Sequence, residues 1–142
     1  MPTESQTAPA SRTTLWAGRI LTALVVLFLL VDGAMKVLKA APVMEACAQL
    51  QVPERVIPGL GVVLIVAALI FAIPRTSALG AILLTGYFGG ATWAHVRMGG
   101  PVLPMVFPSL FSLLIWGGLF LREPRLRALL SMRLPQTAGP SV

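Results

Sequence analysis

Asp32 and His95 are the residues of this sequence best suited to chemistry, because each is an ionisable group carried by an otherwise apolar stretch. A charge within a membrane segment costs about 2.5–3.5 kcal/mol at a helix centre, so it needs a partner or a task. Lys36 follows Asp32 by one helical turn, with the acid N-terminal, which is the favourable order for an intrahelical ion pair. Arg97 stands just beyond His95, the only histidine. A carboxylate beside an imidazole can hold its tautomer, raise its pKa and pass protons, as a quinone site or a proton-coupled step requires. The simpler readings are an Asp32–Lys36 pair neutralised near the membrane boundary and an interfacial His95.

Tyr87 and Trp93 are candidate walls for a flat ligand at this polar site. Trp16, Trp93 and Trp116 equally suit the membrane interface. Met35, Met44, Met98, Met105, Cys47 and His95 are soft ligand types, but no two have a close metal-binding spacing, so no metal site is expected. One cysteine forms no internal disulfide, and one histidine cannot supply two-histidine haem ligation. There is no P-loop, GxGxxG or nucleophile motif, so no motif specifies a catalytic role.

The elements that must hold these residues follow from composition. The chain has 142 residues, 56% of them apolar and 11% charged, with a mean hydropathy of +0.85. That apolar content, about 80 residues, approaches four spans of roughly 20 residues each. The expected architecture is an all-α integral membrane four-helix bundle with spans at 15–38, 56–74, 76–96 and 100–121. Residues 1–14 and 131–142 read as tails, and 15–130 as the membrane domain. The first span is the least regular, because its charge-free run from Ile20 to Val31 stops at Asp32. Counting along parallel first and third spans at about 1.5 Å per residue brings Asp32 and His95 to similar depth.

The net charge of +6 is scattered in ones and twos, with no basic stripe for nucleic acid, and reads instead as topology. With four spans, Arg12, Arg19, Arg75, Arg122, Arg125, Arg127 and Arg133 share one side, against Lys36, Lys39, Arg55 and Arg97 on the other. Both termini are therefore expected in the cytoplasm of a multi-pass cell-membrane protein. Gly86, Gly90 and Ala94 form a small-residue face suited to helix packing. Pro108 is expected to free a backbone carbonyl in the last span. Between the first two spans, Pro42 can open a short surface helix with Val43, Cys47 and Leu50 on one side, Met44 at its margin, and Glu45 and Gln49 away from it.

Several strings resemble the DoxX-like family of small four-span bacterial membrane proteins over roughly Leu15 to Leu130. They are Trp16, Gly18, Arg19 and Ile20; Asp32, Gly33 and Lys36; Ile73 through Thr76; Leu79 through Tyr87 (LGAILLTGY); Ala94 through Arg97; and Leu121 through Leu126. The family takes its name from a membrane subunit of a thiosulfate:quinone oxidoreductase, so the resemblance implies a quinone-linked or anchoring role. Asp32, Lys36, His95 and Arg97 match its polar pattern, without assigned catalytic roles. The expected function is an accessory subunit of a membrane redox system, embedded in the lipid bilayer, with a quinone as its ligand and a redox protein or a second copy as its partner. Two alternatives are a small transporter coupled through Asp32 and a structural partner using the Gly86/Gly90 face.

Overall fold

The computed structural model describes residues 12–123 and Leu126, which are all-α with no strand. The expected C-terminal tail, Arg125, Arg127, Arg133 and the first eleven residues lie outside them. The helices are α1 (Arg12–Val37), α2 (Ala41–Gln49), α3 (Ile57–Ala72), α4 (Ser77–Met98) and α5 (Val102–Arg122), with a 3-10 turn at Glu54–Val56 before α3. Three segments, Arg12–Val37, Glu54–Ala72 and Val102–Arg122, are long and apolar enough to cross a membrane. The 22-residue α4 matches them in length, but glycines, threonines, His95 and Arg97 dilute its hydropathy.

The four long helices close a ring in which α1 touches α3 and α5, and α4 touches the same two. Leu29, Leu64, Phe71, Leu84, Ile115 and Leu119 meet inside it, each almost fully buried. Leu24, Leu27, Val62, Val66, Ile82 and Leu113 point outward, which is the surface a bilayer requires.

Glycines set the closest approaches. A Cβ on Gly61 would stand 2.6 Å from the Gly33 carbonyl oxygen, and one on Gly80 would collide with the Phe71 backbone. Lacking side chains there, α1 meets α3, and α4 meets α3, nearly backbone to backbone. Gly18 does the same between α1 and α5, against the Leu121–Arg122 backbone, while Gly118 makes room for the Thr22 side chain. Gly86 and Gly90, expected as a packing face, have open space where a Cβ would stand, and Ala94 is half-buried. Within the chain α4 packs through Gly80, Ala81 and Leu84 instead. Tertiary phase decides this, because a helix carries small residues on several faces and only one meets its neighbour.

Polar clasps complete the joints. Thr76 Oγ1 donates to the Ile70 carbonyl at 2.8 Å and Ser77 Oγ to the Pro74 carbonyl at 3.0 Å, closing the α3–α4 turn. Trp116 Nε1 donates to Thr85 Oγ1 at 2.9 Å, so this tryptophan ties α5 to α4. Arg122 donates to the Phe71 carbonyl at 2.8 Å with its guanidinium over the Phe71 ring, and so fastens α5 to the end of α3.

Candidate functional site

At the end of the ring opposite the α3–α4 turn, α1, α4 and α5 diverge and α2 covers the gap. The cavity between them has a volume of about 700 Å³, ample for a drug-sized ligand. α1 contributes Phe28, Val31, Asp32, Met35 and Lys36, an i, i+3, i+4, i+7, i+8 face. α4 contributes Tyr87, Phe88, Ala91, His95 and Met98. The α5 wall is made of Pro104, Met105, Phe107, Pro108 and Phe111. Pro108 sits inside α5 and has no N–H for the carbonyl of Pro104, one turn earlier.

One part of the lining is aromatic. Phe111 stacks on Phe28 with ring centroids 4.8 Å apart and on Phe88 at 5.6 Å, while Phe107 meets it edge-on at 5.1 Å. Such a group offers ring faces and edges to a flat apolar ligand.

Asp32, Lys36 and His95 make the other part of the lining polar. Lys36 Nζ donates to Asp32 Oδ2, and the side chains are only 14% and 30% exposed, so the two charges cancel within the cavity wall. Asp32 is therefore paired with Lys36 and makes no hydrogen bond to His95. His95 Nδ1 lies 2.9 Å from the Ala91 carbonyl oxygen. A carbonyl can only accept, so Nδ1 carries the proton, and in that tautomer Nε2 is an acceptor.

Tyr87 lines the cavity, but Trp93 does not, and it is 66% exposed. At 100° per residue, Trp93 sits about 200° from both Ala91 and His95, on the far side of α4. The same phase keeps Arg97 out of the lining; its guanidinium reaches over and donates to the Leu50 carbonyl at 3.2 Å.

The roof comes from α2. Val43, Ala46, Cys47 and Leu50 line the cavity, as does Gln49, which amphipathic reasoning had turned outward. Met44 is half-buried and does not line it. Lys39 and Gln51 flank the helix in the left-handed region, with φ of 52° and 54°. An ion pair from Lys39 to Glu54 at 3.0 Å and the Arg97 bond hold the roof from either side. Met35, Cys47, Met98, Met105 and His95 share the lining, although among the described residues no group of three His, Cys, Asp or Glu side chains could hold a metal ion.

Burial pushes the Cys47 thiol up, opposed by the nearby Lys36 charge and reinforced by Asp32, so thiolate forms above the ordinary range. This supplies a reporter for the roof. Arg97→Ala should speed maleimide labelling of Cys47 severalfold at fixed pH, because losing the bond to Leu50 loosens α2; an unchanged rate would show that Arg97 does not hold it.

Phe28, Phe88, Phe107 and Phe111 escaped sequence reasoning, although Phe107 and Phe111 stand one helical turn apart, because an aromatic residue in an apolar helix has no distinguishing sign until its neighbours are known. A model of the DoxX-like family matches residues 20–118, a range that takes in every wall of the cavity. No curated protein and no solved structure gives a significant match.

Proposed function

This chain belongs to the DoxX-like family of membrane proteins, and from that premise we propose that it is an accessory or anchoring subunit of a quinone-linked redox system. The cavity under α2 is its ligand site. The observation that carries the reading is the cavity itself: aromatic stacking residues, apolar walls and a polar region of zero net charge in one space of about 700 Å³. A quinone is flat, neutral and amphipathic, and it supplies a two-electron carrier when bound. Phe111 and Phe28 suit its ring, Val31 and Met105 suit its apolar substituents, and Lys36 and Tyr87 can donate to its oxygens.

The same reading makes α4 a fourth span, with both termini in the cytoplasm of a multi-pass cell-membrane protein. Its support is connectivity. α4 touches Phe71 of α3 near its start and bonds Ser109 of α5 through Thr92 near its end, at 3.0 Å, so it runs alongside helices able to cross. Its 22 residues reach about 33 Å.

The test is saturable binding of a decyl-tailed benzoquinone to the purified full chain in mild detergent. Phe111→Ala should weaken it about tenfold, the effect of losing a stacked aromatic contact. Absence of saturable binding would overturn the ligand reading. It would favour a second reading, a structural partner without a ligand, which draws on Gly86, Gly89 and Gly90, where the α4 backbone lies open at the surface. Transport through Asp32 is disfavoured by the ion pair, because a coupling carboxylate must be free to exchange its proton.

A further inference from the structure

We infer that the cavity selects the reduced, hydroxyl-bearing form of its ligand, an aromatic diol, over the matching dicarbonyl. This rests on the quinone-class reading above and deepens it by specifying which redox form the walls recognise.

The argument is a count of donors and acceptors. His95 Nδ1 is committed to the Ala91 carbonyl, which leaves Nε2 as an acceptor with no donor among the described residues. Asp32 Oδ2 accepts from Lys36, and no described residue donates to Oδ1. Pro104 also belongs to the lining, and its carbonyl lacks the N–H that a residue other than Pro108 would supply. Three such acceptors thus belong to residues that line one cavity. On the donor side, Lys36 already spends one N–H on Asp32, Tyr87 brings one hydroxyl, and Gln49 and Cys47 in the roof add an amide and a thiol, none of them hydrogen-bonded to His95 Nε2.

Binding strips water from these groups, and an acceptor that meets another acceptor loses its hydrogen bond without replacement. A dicarbonyl ring brings acceptors only, so it can use Lys36 and Tyr87 but leaves His95 Nε2 bare. A diol of the same size donates to Nε2 while its oxygens still accept from Lys36. Charge gives no contrary preference, because Asp32 and Lys36 cancel and both ligand forms are neutral. His95 is therefore the specificity-determining residue, and the Ala91 carbonyl sets its polarity by holding the tautomer.

The experiment compares a decyl-tailed benzohydroquinone, the matching benzoquinone and the dimethyl ether of the hydroquinone, under anaerobic conditions with the full chain in mild detergent. The diol should bind about tenfold more tightly than the dicarbonyl, the value of one hydrogen bond to an otherwise unsatisfied acceptor. The dimethyl ether, which has the oxygens but no donors, should lose that advantage. His95→Phe keeps a flat ring without the acceptor, so it should retain quinone affinity and reduce the diol preference severalfold. Equal affinity for diol and dicarbonyl would overturn the inference and leave the ligand reading intact, as would an ether binding as tightly as the diol. A diol preference undiminished in His95→Phe would overturn the assignment to His95. Binding of none of the three probes would overturn the ligand reading and this inference with it.

Discussion

Lys36→Met should destabilise the protein by about 3 kcal/mol, the low end of the cost of breaking a buried pair, because it leaves a part-buried carboxylate without its counter-charge. The Lys36 side chain is 14% exposed and that of Asp32 30%, so water cannot replace the lost ammonium fully. The paired Asp32→Asn, Lys36→Met protein should recover most of that loss, because a neutral amide beside a thioether leaves no charge to solvate. The asymmetry between breaking a pair and replacing it separates an ion pair in a low-dielectric wall from one at a wet surface. Denaturant or thermal unfolding in one detergent would measure it. A single substitution costing under about 0.5 kcal/mol would place the pair in the surface class.

Gly80→Ala is the second large effect. The added Cβ would strike the backbone nitrogen and Cα of Phe71, which cannot rotate away as a side chain could. Phe71 is itself fully buried and its carbonyl accepts from Arg122, so it is held from two directions. Either α3 and α4 separate or the α3–α4 turn, closed by Thr76 and Ser77, must distort. We expect a loss of about 3 kcal/mol, the upper end for overpacking a tight core. Gly89→Ala on the same helix meets nothing within 4 Å and should be neutral or stabilising by up to about 1 kcal/mol, from helix propensity alone. A similar response at both positions would mean that α3 and α4 are not in backbone contact.

Much of this was legible in the residues. Apolar runs and their interruptions marked the long helices, and α1 begins at Arg12, only slightly ahead of the expected Leu15. The α4–α5 joint is marked by Gly99, in the left-handed conformation at the end of α4, and by Pro101 before α5. The spacing of Asp32 and Lys36 identified the ion pair, because i, i+4 contact is internal to a helix. Chain arithmetic brought Asp32 and His95 to one level, and both line the cavity. Trp93 failed as a wall for want of rotational information: depth along a helix follows from counting, but phase follows only once the neighbours are known. Phase likewise leaves Gly86 and Gly90 outside the packing within the chain. A search for small residues finds every place where close approach is allowed, whereas packing uses only the one that faces a partner.

From the sequence alone came the solvent and the helices, because burial in lipid is a property of composition and a helix is a local object with its own period. It also singled out Asp32, Lys36 and His95, because charge in an apolar run is conspicuous without any structure. Only the tertiary arrangement decided that α2 folds back as a roof, that Phe28, Phe88, Phe107 and Phe111 gather from three helices, and that His95 joins the same lining with Nδ1 against the Ala91 carbonyl. A cavity belongs to no single segment. It exists where several helices fail to fill the volume between them, and that volume depends on how close Gly33, Gly61 and Gly80 allow their backbones to come.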